Sequence, residues 1–264
     1  MLAYTGSKQL QESIDRFVFE RRVKWVVRFS TPILIWTMGK VGTTSIARSL
    51  TKAIPQLGTV FAVHFIDDGT YRSQILHEKL LQQDRPIKII TLVREPIAKN
   101  ISSFFQNYRQ HTGKPFGEDR LSVPELTDLF LRTNFHYNVL NWFDCQIFNY
   151  LGIDVYQVPF PRHRGVARFQ KDNFDLLILK SELNNTVKAR YLASFLDLDR
   201  GFKITNHNIG SRKIYGKTYE RFKEFVKLPE KYIEEMCESR YFQHFYSPTE
   251  IARVRDRWSR QYKN

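Results

Sequence analysis

The chain has 264 residues, 42% of them hydrophobic and 26% charged. This balance suits a soluble globular protein with a sizeable core, and excludes long-range disorder, collagen-like repeats and low-complexity scaffolds. Two cysteines, Cys145 and Cys237, exclude a disulfide framework, and 41 Lys+Arg against 27 Asp+Glu give a net charge of +14 that points to polyanionic partners: nucleic acid, anionic lipid, phosphorylated cofactors or acidic sugars.

The first 20 residues carry Lys8, Glu12, Asp15 and Arg16 and no apolar core of signal-peptide length. No segment reaches the roughly 18 apolar residues of a membrane span. The expectation is one domain over 1–264, held in the cytoplasm.

Residues 7–28 read as a helix, with Leu10, Ile14, Phe17, Val18 and Val23 at helical spacing. Ile33-Leu34-Ile35-Trp36 reads as a buried strand. It is followed by Thr37-Met38-Gly39-Lys40-Val41-Gly42-Thr43-Thr44-Ser45, and then by a helix face of Ile46, Leu50 and Ile54. Thr59–Phe65 predicts a second strand closed by the Asp67-Asp68-Gly69 turn, 74–83 a helix, and Lys88–Val93 a third strand. Pro96 sits at a favoured first helical position, ahead of Ile97, Ile101, Phe104, Phe105 and Tyr108. Further on, 111–122 predicts a loop or lid, and 123–150 one or two aromatic-rich helices. Val155–Val158 and Leu176–Leu179 are strand candidates, 201–216 is an irregular basic stretch, and helices are expected at 183–196, 220–227, 230–242 and 249–262. Strands alternating with helices indicate an α/β fold with a mainly parallel sheet.

Gly39, Lys40, Val41, Gly42, Thr43, Thr44 and Ser45 lie between a buried strand and a helix start. Amides at a helix N-terminus are unpaired and carry the positive end of the dipole, so such a loop cradles phosphate. The nucleotide-hydrolase order G-x-x-x-x-G-K-[ST] is not followed, because Lys40 precedes the last glycine. That order argues against ordinary ATP or GTP hydrolysis.

A second motif follows the third strand: Val93-Arg94-Glu95-Pro96-Ile97-Ala98-Lys99-Asn100-Ile101-Ser102-Ser103-Phe104-Phe105. With Trp36–Ser45 it resembles the sulfotransferase superfamily that uses 3′-phosphoadenosine 5′-phosphosulfate (PAPS), in the style of bacterial carbohydrate and capsular-polysaccharide sulfotransferase-like proteins. The explicit match covers about 50 residues. The resemblance implies a P-loop-type central parallel sheet flanked by helices in three α/β/α layers. It further implies a first loop for the 5′-phosphosulfate, and Arg94 with Ser102 for the 3′-phosphate. The late segment Asn208–Lys217 resembles a basic loop that closes over the nucleotide in many members, with Ser211, Arg212 and Lys213 as candidates.

The implied reaction moves a sulfuryl group to an acceptor hydroxyl, most readily on a carbohydrate, without a metal. Lys40 would stabilise charge on the transferred group. His64, at the end of the second strand, is the first candidate base, since open α/β sheets bind ligands there and its ordinary pKa suits proton transfer. Asp67, Asp68 and Glu182 are alternatives. The competing readings are a P-loop kinase or other nucleotide enzyme, and a basic nucleic-acid-binding module. The sequon Asn100-Ile101-Ser102 overlaps the proposed 3′-phosphate site and is expected to be unmodified.

Overall fold

A computed structural model describes residues 2–54, 58–117, 121–133, 136–207 and 213–259. Of the site candidates, Ser211 and Arg212 lie outside them, and Lys213 lies within. In chain order the elements are α1 (Leu2–Phe29), β1 (Ile33–Trp36), α2 (Thr43–Ala53), β2 (Val60–Val63), α3 (Tyr71–Leu76, running on as a π-turn to Leu81), β3 (Ile87–Val93), α4 (Pro96–Gln106) and α5 (Tyr108–Thr112). Then come α6 (Val123–Leu131), α7 (Asn138–Trp142, running on as a π-turn through Phe148), α8 (Asn149–Leu151), β4 (Val166–Lys171), β5 (Phe174–Lys180), α9 (Asn185–Leu196), α10 (Gly216–Phe225), α11 (Glu230–Glu238), α12 (Arg240–Phe245) and α13 (Pro248–Ser259).

The fold is α/β, built on a five-stranded sheet of order β2-β1-β3-β5-β4. Strands β2, β1, β3 and β5 are mutually parallel, with Ile33 level with Val60 and Lys88, and Ile89 with Leu176. The central strands β1, β3 and β5 are mostly apolar because helices cover them. Leu34, Ile35, Trp36, Ile89, Ile90, Leu92, Ile178 and Leu179 are all fully buried. Helix α4 earns its place through Ile97, Ile101, Phe104 and Phe105, all buried, and Pro96 does stand in its first turn.

One strand expectation needs correction. Val155–Val158 is a turn, not a strand: Val155 is buried, but the Asp154 carboxylate accepts the Tyr156 amide at 3.0 Å and Gly152 turns left-handed before it. The strand in this region is β4, antiparallel to β5, so the sheet is mixed, mainly parallel with one antiparallel edge strand. As an edge strand it is only half-buried, which hides it from an apolar-run search. The Asp172-Asn173 turn, with Asp172 at φ 52, joins the two strands.

One tyrosine links the C-terminal helices to the sheet. The Tyr241 hydroxyl accepts the Arg94 amide at 3.0 Å and donates to the Arg94 carbonyl at 2.9 Å. Replacing Tyr241 by Phe strands two backbone groups. Urea denaturation should show a loss of about 1–3 kcal/mol, and an unchanged midpoint would contradict the assignment.

Candidate active site

Parallel strands place all their C-terminal ends on one edge of the sheet. From β1 the chain passes to β2 on one side, whereas β3 lies on the other and is followed in the sheet by β5. The crevice between β1 and β3 is therefore the topological switch point, where open α/β sheets bind ligands. Residues 37–42 leave β1 there, and Arg94 leaves β3 there. The Arg94 guanidinium donates to the Lys40 carbonyl at 2.6 Å and spans the crevice.

The loop after β1 is built on left-handed backbone. Gly39, Lys40 and Gly42 have φ of 76, 61 and 99. The glycines adopt this without penalty; Lys40 does not, and such a conformation persists only where its surroundings over-determine it. Here the Arg94 bond holds the Lys40 carbonyl, and Gln106 Oε1 receives the Lys40 ammonium at 3.3 Å. The buried Thr37 hydroxyl bonds Thr43 Oγ1 at 2.7 Å, closing the loop on itself.

Helix α2 then starts with no side-chain cap, Gly42 being its N-cap. The amides of Ser45 and Ile46 bond back to the Gly42 carbonyl at 3.1 and 3.3 Å. Those of Thr43 and Thr44 have no carbonyl one turn earlier to bond. Helix α4 is the opposite case: the Glu95 carboxylate accepts the amides of Ile97 and Ala98 at 2.6 and 3.0 Å. Of the two helix starts at the crevice, only that of α2 is open to an anion.

Lys40, Gly42, Thr43, Thr44, His64, Arg94 and Ser102 line one cavity of about 410 Å³, with Gln106, His207 and Tyr219. Its described lining contains no carboxylate. On the other side of the Arg94–Lys40 bond, a lobe of about 210 Å³ is lined by Val41, Ser45, Asn185, Lys188 and Asn206 among others. Lys213 reaches the site by donating to Gln106 Oε1, which also accepts the Tyr215 hydroxyl at 3.2 Å.

Cations crowded without counter-charge resist being charged. Burial, then Lys213 and Arg94, push the Lys40 ammonium down to about 8. Lys99 stands one turn before Ser102 on α4 and is only 4% exposed. Its amide bonds the Glu95 carbonyl at 3.0 Å, whereas its ammonium has no hydrogen-bond or ion-pair partner among the described residues. Burial, then Arg94, push it down to about 8 as well.

His64 follows directly on β2. Its Nδ1 bonds the Thr37 carbonyl at 2.9 Å. A carbonyl can only accept, so Nδ1 carries the proton and Nε2 keeps a free lone pair. Nε2 lies 3.6 Å from where a Cβ at Gly39 would stand. Burial lowers the His64 pKa against the opposing Thr37 hydrogen bond, and Lys99 and Lys40 add to the lowering, which favours the neutral ring.

The alternative bases are otherwise engaged. Asp68 Oδ1 accepts the Thr70 amide at 2.9 Å and the Ser73 hydroxyl at 2.5 Å. Asp67 Oδ1 accepts Gln146 Nε2 at 3.0 Å. Glu182 Oε1 accepts the Glu95 amide at 3.0 Å and Oε2 the Tyr246 hydroxyl at 2.9 Å. None of the three lines the cavity. Ser45 stands a little apart from the loop's other members: its hydroxyl accepts the His207 amide at 2.9 Å, and it faces the smaller lobe.

Sequence reasoning missed Gln106, His207, Tyr219 and Lys99 as site neighbours. Helical periodicity could have found two of them, because Lys99, Ser102 and Gln106 share one face of α4. Asn100 is fully buried, so the Asn100-Ile101-Ser102 sequon is closed to modification in the folded chain.

Residues 120–247 match the family model NKWYS, described as "Putative capsular polysaccharide synthesis protein". The match begins after α5 and ends beyond α12, so it holds His207, Lys213, Tyr219 and Tyr241 but neither the Trp36–Ser45 loop nor Arg94 and Ser102. No curated protein and no solved structure matches the chain.

The electrostatics set a pH window. Both lysine pKa values are depressed to about 8 from 10.5. The charged forms therefore weaken the ligand-free fold below pH 8, and stability from this source rises as pH climbs from 8 towards 10.5. A bound anion reverses the preference. Inorganic pyrophosphate should bind best below pH 8 and weaken above it, and should raise the Lys40 pKa in a 13Cε titration. A Lys40 pKa that is unmoved by pyrophosphate would contradict this electrostatic picture.

Proposed function

We propose that the chain is a sulfotransferase, moving a sulfuryl group from PAPS to an acceptor hydroxyl on a polysaccharide. The observation that carries the reading is a cavity whose described lining holds no carboxylate. An uncapped helix N-terminus, Lys40, Arg94 and Ser102 meet there, with His64 beside them. The resemblance seen in the two motifs supports the donor. The family description matched by 120–247 supports a carbohydrate acceptor.

The residues fit the donor. Its anionic groups need several separate positive sites, and Lys40, Lys99, Arg94 and Lys213 are near one another without a carboxylate to neutralise them in the lining. A cavity of about 410 Å³ falls in the range of small-molecule sites. The amides of Gly42 to Thr44 and the Lys40 ammonium would hold the 5′-phosphosulfate, and Arg94 with Ser102 the 3′-phosphate. Lys213 would close the site from the late basic segment. When bound, PAPS supplies a sulfuryl group on a phosphate leaving group.

The chain's own part is positioning, charge neutralisation and one proton. Lys40 offers its charge where oxygen charge develops. His64 Nε2, unprotonated because Nδ1–H is held by Thr37, takes the acceptor hydroxyl's proton. The lowered His64 pKa keeps that lone pair available at neutral pH and favours return of the proton to water.

Two variants separate binding from chemistry. Arg94→Ala removes a charge-assisted hydrogen bond of roughly 1.5–3 kcal/mol, so calorimetry should show affinity for adenosine 3′,5′-bisphosphate falling about tenfold to a hundredfold. His64→Ala should keep that affinity and lower transfer of 35S from PAPS to polysaccharide by about 10²- to 10⁴-fold. Unchanged transfer in His64→Ala would remove the histidine from the mechanism. Magnesium-dependent ATP turnover by the wild-type protein would favour a kinase instead.

A further inference from the structure

Helix α1 has two apolar faces, and only one is used. Phe19, Val23, Val26 and Val27 are buried against the domain. At 3.6 residues per turn, Leu10, Ile14, Phe17, Val18, Trp25 and Phe29 fall on the opposite side, within an arc of about 120°. All six are 47–64% exposed. The stripe runs for about 29 Å along the helix at 1.5 Å per residue.

Charge decides what could cover it. Arg21 and Arg28 lie inside the same arc, each over a ring of the stripe, Phe17 at 5.6 Å and Phe29 at 5.3 Å. The Trp25 and Phe29 rings stand 5.7 Å apart on the same stripe. The helix's three carboxylates, Glu12, Asp15 and Glu20, all project outside the arc, and Glu20 is paired with Lys24 at 2.6 Å. A second copy of this chain laid on the face would oppose arginines to arginines with no acid to answer them. An anionic lipid surface answers both features, with acyl chains for the aromatic side chains and headgroups for the guanidiniums.

We infer that the exposed face of α1 is a membrane-surface anchor that lies in the headgroup region of an anionic bilayer. It lies on the bilayer without spanning it: no helix among the described residues is long and apolar enough to cross. The inference does not depend on the sulfotransferase reading, since none of the stripe's residues lines the cavity. Its consequence is a domain tethered by one helix, working on acceptors held near a lipid surface.

The test uses the full chain and vesicles. Trp36, Trp142 and Trp258 are fully buried, so any lipid-induced change in tryptophan emission reports on Trp25. Vesicles of phosphatidylcholine mixed with phosphatidylglycerol should sediment the protein and shift its emission to the blue, whereas phosphatidylcholine alone should do so at least tenfold less well. The triple variant Phe17→Ser, Val18→Ser, Phe29→Ser keeps the net charge and the reporter, and should bind at least tenfold more weakly. Arg21→Gln with Arg28→Gln should weaken binding to the mixed vesicles selectively. All five positions are exposed, so unchanged circular dichroism is expected and serves as the folding control. Three results would overturn the inference: no binding to mixed vesicles; equal binding by the triple serine variant, which would mean charge alone; or a lipid-free blue shift with a doubled mass by light scattering, which would assign the face to a second copy.

Discussion

The site depends on a single hydrogen bond across the sheet's switch point, from the Arg94 guanidinium to the Lys40 carbonyl at 2.6 Å. Without it the loop after β1 would have little reason to hold a lysine at φ 61, and the two strands would present their ends independently. With it, one arginine does two things. It fixes the strained turn that exposes the α2 amides, and it adds its charge to a pocket that already holds Lys40. The arginine's own backbone is held in turn by Tyr241 on both its amide and its carbonyl. A chain of contacts thus runs from the C-terminal helices, through β3, to the loop that would bind the anion.

Charge is the second constraint. Four cations approach one crevice, and the carboxylates nearest in sequence are turned to other work. Glu95 caps α4, Glu182 holds the Glu95 amide and Tyr246, and Asp68 closes a turn. Burial pushes Glu95 up to about 7, which further reduces the negative charge near the site at neutral pH. The arrangement disfavours the ligand-free protein and favours a polyanion. This explains why two lysines have depressed pKa values while the adjacent histidine stays neutral.

Much of this was legible in the sequence, for reasons that can be named. β1 is an uninterrupted apolar run and β3 a largely apolar one, broken by Lys88 and Thr91, Gly39 and Gly42 mark a turn, and Pro96 marks a helix start. These local signals lie in the segments that build the switch point. β4 was not legible, because an edge strand with one solvated face carries few apolar residues, and only the Asp172-Asn173 turn betrays it. Val155–Val158 looked like a strand because buried turns also carry valines. His207 could not be read at all, since its place comes from a tertiary contact, Ser45 holding it across 162 residues; helical spacing puts Gln106 on the Ser102 face, but the three donors converging on its Oε1 come from distant segments. The second face of α1 was visible as letters, but the core and the exposed stripe could not be told apart until packing chose Phe19 and Val23.

The central claim is that this crevice reads a nucleotide with a phosphate on its 3′-hydroxyl. The most direct measurement is a calorimetric titration of the wild-type protein with adenosine 3′,5′-bisphosphate, set beside 5′-AMP and ATP with magnesium. The account predicts micromolar binding of the bisphosphate and at least tenfold weaker binding of AMP. Equal affinities, or tighter binding of ATP with magnesium, would contradict it and remove Arg94 and Ser102 from the role given them here.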